Sequence, residues 1–528
     1  TTNNEVFISW RLLASDSQDV SFNVLRYKNL DSKPELITKK TIADSCNYVD
    51  KYGSADMYYA VQSISNGRAL NTSKPVKVIS NPGNYVSIKL NGDYVAQKVG
   101  IADFDGDGRL DYLIKQPNFN TDPYQRPGYW KKSEVTYKLE AYNHDGKFMW
   151  QYDMGWAIEA GIWYSPIVVY DLDGDGKAEV FCKAGEGDPR EPTGHVKSGP
   201  EYLAVLDGMT GKVIKRIDWP SRDGFEDYNY YCRNLLGIAY LDGKRPYLVV
   251  ERGTYTIIKI QTYDPELNPF WYWEASGEYK SYRGQGMHGM HSADIDEDGK
   301  DEIVIGSAVI DDNGKGIWNT RLGHPDACYV ADIDPQRPGL EIFYGIEPGK
   351  KSNTVCLVEA KTGKMIWGSP EITVHVHGQG MVGDIDPEHP GMECYAGEKG
   401  GSNYWLYAAN GERLSNKSLG ELAPKAVWWL DGDTKVYIVE NKICLYPQKE
   451  IGRIEGRIVA IADCIGDWRE EVITALKGEI RIYTTTVPTN KRRICLMQDR
   501  LYRTDVAMQT MGYFYPPQVC GKLLPDLK

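Results

Sequence analysis

The chain has 528 residues, with 61 Lys and Arg against 73 Asp and Glu and a formal charge of −12. A net-acidic chain without a basic block is a poor partner for nucleic acid, because phosphate contact needs clustered Lys and Arg. Its 41% hydrophobic content excludes wholesale disorder, and no apolar run approaches the roughly 18 residues that a membrane-spanning helix needs.

In chain order, residues 1–80 come first. They carry alternating segments such as Val6-Phe-Ile-Ser-Trp10, Phe22-Asn-Val-Leu-Arg-Tyr27 and Met57-Tyr-Tyr-Ala-Val-Gln62. Period-two alternation predicts strands, here a small β-sandwich of fibronectin type III kind. The turn-forming stretch Asn81-Pro-Gly-Asn84 marks a boundary, with a second domain over 81–528.

That second domain is a repeat. An apolar strand, an acidic loop and another apolar strand recur. The clearest loops are Asp103-Phe-Asp-Gly-Asp-Gly-Arg-Leu-Asp111, Asp171-Leu-Asp-Gly-Asp-Gly-Lys-Ala-Glu179 and Asp294-Ile-Asp-Glu-Asp-Gly-Lys-Asp-Glu302. Two are one residue longer, Asp332 to Glu341 and Asp384 to Glu393. One is degraded, Asp463 to Glu471, and two keep only a turn, at Asp242-Gly and Asp431-Gly. The mean spacing of about 51 residues suits four-stranded blades. Hairpin turns such as His144-Asp-Gly-Lys before Trp150 and Lys361-Thr-Gly-Lys before Trp367 fall between the loops. Helical periodicity is nearly absent. The expected fold is all-β, an eight-bladed β-propeller behind an N-terminal β-sandwich.

Carboxylates at loop positions 1, 3, 5 and 9, with Gly at 6, can wrap a hard cation. Oxygen-only ligands favour Ca²⁺. Full sets are Asp103, Asp105, Asp107 and Asp111; Asp171, Asp173, Asp175 and Glu179; and Asp294, Asp296, Asp298 and Glu302. Asp332, Asp334 and Glu341, and Asp384, Asp386, Glu388 and Glu393, form variant sets, whose alternative is a hydrogen-bonded acidic turn. Repeated loops of this kind staple blades more often than they catalyse. The Asp463 loop has Ile465 where a ligand is wanted. The ten cysteines form no CxxC pair, which argues against zinc and leaves one or two disulfides open.

At these residues the sequence resembles the family 11 polysaccharide lyases, the rhamnogalacturonan lyases. The resemblance runs through Val6-Phe-Ile-Ser-Trp-Arg-Leu-Leu13, Gly199-Pro-Glu-Tyr-Leu203, Arg252-Gly253, Gly284-Gln-Gly286 with His288, Leu322-Gly-His-Pro-Asp-Ala327, Gly466-Asp-Trp-Arg-Glu-Glu-Val472 and Arg481-Ile-Tyr-Thr-Thr-Thr486. It implies β-elimination at the bond from rhamnose to O4 of galacturonate, with bound Ca²⁺ and an acidic polysaccharide as partner. It also implies a secreted or periplasmic protein whose leader has been removed.

The chain departs from the family pattern where substrate is handled. The family's Asn-Asn-Gly-Thr-Lys stretch reads Ile451-Gly-Arg-Ile-Glu-Gly-Arg457, without the Lys; its Gly-Arg-Gly reads Gly378-Gln379-Gly380. Such changes mark a divergent member. They leave open a different uronate–rhamnose glycan, or a calcium-stabilised propeller that only binds carbohydrate.

The catalytic candidates are Tyr513 and His288, which match family positions, Arg453 and Arg457 in place of the missing Lys, and His375 and His377, which share one face of a strand. The substrate-binding candidates are Arg233 and Arg252 as carboxylate clamps, Lys115 and Lys183 after the first two loops, His324, and Gln379. Each has a structural alternative. A buried Tyr, an inter-blade ion pair or a charge-balancing Lys would need no substrate.

Overall fold

The computed structural model describes residues 5–81, 83–124, 126–349 and 351–519. From residue 85 onward the chain makes eight four-stranded antiparallel sheets. Seven form strand by strand, at 98–153, 167–218, 234–274, 286–319, 325–368, 381–415 and 425–453. The eighth takes three strands from 457–483 and its outer strand, Tyr85–Lys89, from before the first sheet. The two ends of the domain are thereby hydrogen-bonded together.

The first strands of successive sheets lie side by side, and Arg457–Ala462 of the eighth packs on Lys98–Ala102 of the first. This placement explains their composition. Ile167–Tyr170 and Asn234–Ala239 are buried along their whole length, as a strand covered on both faces must be. Outer strands are partly exposed instead, as in Phe148–Asp153, where Trp150 is the one buried residue.

Outer-strand tryptophans join one sheet to the next. Trp150, Trp271, Trp318 and Trp367 each donate their indole N–H to a turn carbonyl of the following sheet, at Gly208, Asp312, Ala360 and Ala409. The Gly211 turn has φ +67, and a Cβ there would meet the Trp150 ring at 2.4 Å.

Two features correct the all-β expectation. A short helix, Tyr228–Tyr231, precedes the third sheet. A longer one, Arg500–Met508, packs on the first strands of the first, second, third, fourth and eighth sheets. Asp499 caps the longer helix by accepting from the Tyr502 N–H at 2.8 Å. Beyond it, residues 509–515 run along the same inner strands. Gln509 bonds Ile461, Thr510 bonds Ile167, and the Tyr513 N–H donates to the His288 carbonyl at 2.9 Å.

Residues 6–77 make two antiparallel sheets, Val6–Ser9 with Asn47–Asp50, and a second built on Ser21–Tyr27 and Tyr58–Ser65. They share a core of Val6, Trp10, Val20, Phe22, Val24, Cys46 and Tyr59. This unit docks on the eighth sheet. Arg11 Nη1 lies 2.7 Å from Asp463 Oδ1, and Arg492 donates to the carbonyls of Val20 and Ala43.

Nine cysteines are buried and unbridged; Cys520 lies outside the described residues. Among the described residues no helix is long and apolar enough to cross a membrane.

Candidate active site

Every acidic loop follows the first strand of its sheet, so all eight emerge at one end of the inner strands. The histidines sit at the other end. His288 is the third residue of Gly286–Ala293, His324 immediately precedes Pro325–Ala331, and His377 lies four residues before Met381–Gly383. His288 and Asp294 are six residues apart, with a register irregularity in the strand between Gly286 and His291.

Within the histidine cluster three polar atoms have no hydrogen-bond partner: His288 Nδ1, His324 Nε2 and Asp326 Oδ1. His324 donates through Nδ1 to the Gly286 carbonyl. Its Nε2 lies 3.4 Å from Asp326 Oδ1. His288 Nε2 pairs with the Tyr255 hydroxyl at 2.9 Å. His288, His324 and Asp326 can each offer a ligand atom within 4.8 Å of the others. Residue exposures of 4%, 3% and 1% make such unpartnered polar atoms costly, and a cation held among them would relieve that cost. Two imidazoles and a carboxylate are a fitting donor set for a divalent metal.

Surrounding groups hold this set in place. His377 Nδ1 lies 2.6 Å from Asp326 Oδ2, and the Gly378 N–H donates to the same oxygen. Glu347 Oε1 is 3.1 Å from His375 Nε2, and its Oε2 lies 3.8 Å from His324 Nε2. Burial works against an ionised Asp326, yet the imidazoles of His324 and His377 hold its carboxyl well below the usual range. Burial, with His324 and Arg233 nearby, pushes His288 well down and keeps it neutral.

Tyr513 closes the cluster, its ring centroid 4.8 Å from that of His288 and 5.6 Å from that of Trp163. Burial, then Asp326, drives its hydroxyl far above the ordinary tyrosine value. Arg233 stacks under Trp163 at 4.5 Å and Tyr255 at 5.3 Å, anchored by Asp122 and Asn229. Gln379 is half-buried next to Gly378. The structure thus brings together Tyr513, His288, His324, His375, His377, Arg233 and Gln379.

It separates others. Arg252 is fully buried and bonded to Glu201, which also holds Lys183 at 2.6 Å and Arg222 at 3.0 Å. One carboxylate is thus shared by three cations, and Arg252 and Lys183 are buried in that contact, apart from the histidine cluster. Lys115 is spent on the Ser165 carbonyl and hydroxyl, with its ammonium pushed down to about 7 by burial. Arg453 lies on the outermost strand of the seventh sheet, paired with Glu450, and is not catalytic. Arg457 donates to the carbonyls of Ala96 and Gln97.

Sequence reasoning passed over Tyr255, Glu347 and Lys98. Lys98 opens the first strand of the first sheet, five residues before Asp103. The signal available was its offset, since His288 precedes Asp294 by nearly the same number.

In the acidic loops, backbone N–H groups turn the carboxylates inward. Asp103 accepts from Gly106 and Gly108, Asp171 from Gly174 and Gly176, and Asp294 from Gly299. Asp294 Oδ1, Glu302 Oε1, Asp332 Oδ1 and Glu393 Oε1 are left without partners. Burial, reinforced by neighbouring carboxylates, raises Glu179 and Glu341 to about 7 and Glu302 and Glu393 to about 8. Asp111 differs, both oxygens being taken by the N–H groups of Phe104 and His144. Glu388 stands exposed on its turn, outside the carboxylate set. Where a loop lacks the full set, a side-chain cation is found. Arg245 lies on Asp242, Lys491 and Arg493 on Asp433, and Arg11 on Asp463.

Residues 73–524 match the C-terminal domain of rhamnogalacturonan lyase family 11, and residues 1–79 match the β-sheet domain of rhamnogalacturonan I lyases. The chain belongs to rhamnogalacturonan lyase family 11. Two Bacillus subtilis relatives in that family are each 35% identical. The rhamnogalacturonan endolyase YesW is matched over 98% of this chain and 88% of its own length. The rhamnogalacturonan exolyase YesX is matched over 100% and 94%. The crystal structure of YesW superposes with a TM-score of 0.90 at 34% identity, covering 100% of this chain and 95% of that one. A Bacillus licheniformis rhamnogalacturonan lyase gives 0.89 at 34%, covering 98% and 94%. Within family 11, this member has Gln379 in place of the expected arginine and no lysine in 451–457.

Proposed function

We propose that this polysaccharide lyase cleaves a rhamnogalacturonan I-like polymer by β-elimination at the end of the molecule marked by His288, His324 and Asp326. The observation that carries the reading is the convergence of His288, His324 and Asp326, each able to offer one ligand atom, beside Arg233 and Tyr513 in a family 11 chain. In this reading the eight sheets are propeller blades, residues 1–80 form a separate fibronectin type III-like domain, and the protein works outside the cytoplasm.

Elimination removes the C5 proton of a uronate, forms a C4=C5 double bond and expels O4. A divalent cation held by His288, His324 and Asp326 would supply Lewis-acid stabilisation of the carboxylate as charge develops. Arg233, anchored under Trp163 and Tyr255, adds a fixed positive charge to the same side. Tyr513 stays protonated because it is buried, and it can donate to the departing O4. His375 and His377 hold Glu347 and Asp326 in register and act as positioning residues.

Mass spectrometry of the digestion products tests this reading. Elimination gives oligosaccharides lighter by one water than the hydrolysis products of the same polymer. Products carrying that added water would sink the proposal.

The acidic loops are proposed to bind Ca²⁺. Without it their closing carboxylates sit above the ordinary value near 4.5, so the folded chain binds more protons than the unfolded one between about pH 5 and 8. Stability of the chelated protein is then expected to fall as pH rises through that window. Calcium in about hundredfold excess over a site's Kd adds back about 2.7 kcal/mol per site. Thermal melts with and without chelator should differ more at pH 8 than at pH 5; an equal gap at both would contradict this.

A further inference from the structure

We propose that Lys98, on the first sheet, is the general base that takes the C5 proton. The inference rests on the lyase reading above. Lys98 opens its strand at the same end of the molecule as His288. Its Nζ lies 3.3 Å from the Gly512 carbonyl. The next residue is Tyr513, whose N–H is bonded to the His288 carbonyl. The amine is thus one residue from the proposed acid and on the segment that packs against the metal-ligand set.

Its surroundings are unusual for a lysine. It is 7% exposed, and among the described residues it has no carboxylate partner. The charges that face it are all positive. Lys115 is directly opposite on the neighbouring strand, Arg457 comes from the eighth sheet and Lys425 from the seventh; Tyr513 belongs to the 509–515 segment. Burial and these three cations drive the amine well below the ordinary lysine range, which leaves a lone pair available at moderate pH.

Other nearby bases are committed. His288 faces Tyr255 and the ligand set, His377 bonds Asp326, His375 bonds Glu347, and Lys115 is held by Ser165. Lys425, also buried, has Glu421 as a compensating charge.

In the step proposed, the Lys98 lone pair takes H5 and the C–H electron pair becomes the C4=C5 bond. The C4–O4 pair leaves with O4, which receives the Tyr513 proton. The ammonium then gives its proton to solvent, and the tyrosinate recovers one.

The test is kcat and KM against pH for the native protein, Lys98→Arg and Lys98→Met, with circular dichroism as a fold control. Both variants should lose about 10²–10⁴-fold in kcat, with KM changed by less than about threefold. The native kcat should rise with pH through a limb that the variants' residual activity lacks. An active Lys98→Arg would overturn the proposal, since charge alone would then suffice. An unchanged limb in Lys98→Met would do the same. Should a variant fail to fold, acetylation of the native protein decides. Inactivation must track modification of Lys98, and saturating oligosaccharide product must protect it; inactivation independent of Lys98 would reject the base. If the native protein releases no unsaturated product, the lyase reading itself has failed, an outcome separate from these.

Discussion

Asp326→Asn should lower kcat by about 10²–10³-fold, the scale seen when one preorganised electrostatic group is removed from a reaction centre. The carboxylate is 1% exposed and does three jobs. One oxygen lies 3.4 Å from His324 Nε2; the other binds His377 and the Gly378 N–H. Asparagine keeps the shape but removes the negative charge, so a divalent cation held by His288, His324 and residue 326 would lose its anionic ligand. The loss should be partly reversed by raising the divalent cation concentration, because affinity as well as chemistry is affected. The melting temperature should move little by comparison. An Asn variant with near-native kcat would remove Asp326 from the chemistry.

The second large effect is on stability. Arg11→Ala should destabilise the protein by about 3–5 kcal/mol, the cost of leaving a buried charge without its partner. Asp463 is fully buried, and burial raises its carboxyl to about 6 even with Arg11 in place. Arg11 also donates to the Asp463 backbone carbonyl. The contact joins residues 6–77 to the eighth sheet, where the acidic loop lacks its ligand set. Adding Asp463→Asn to Arg11→Ala should recover a large part of the loss, since the stranded charge is then gone. Denaturant melts of the single and double variants measure it. A double variant no more stable than Arg11→Ala would show that packing, not charge, is what Arg11 supplies.

The repeat was legible because each acidic loop must follow a first strand, and the chain repeats that grammar eight times. The outer strand Tyr85–Lys89 was not, because its partner Glu479–Tyr483 lies nearly 400 residues away and no local pattern announces the pairing. The helix Arg500–Met508 was missed for a related reason. It is short, and it fills a space that exists only once the sheets are assembled.

The site divides the same way. His288, His324, His377 and Tyr513 were singled out one by one, but their convergence depends on inner strands set side by side. Arg252 and Lys183 read as free cations in sequence. Only the structure shows that both are paired with Glu201. Lys98 carries no motif, and its lack of an acid partner is a three-dimensional fact.

The most direct test is the ultraviolet absorbance of 4,5-unsaturated uronate during digestion of rhamnogalacturonan I. It should be run beside other pectins and glucuronate–rhamnose gums, with and without chelator. The account predicts growing absorbance on a rhamnose–uronate polymer, abolished by a chelator at a dose that leaves the circular dichroism unchanged. Binding of those polymers with no absorbance growth on any of them would contradict it.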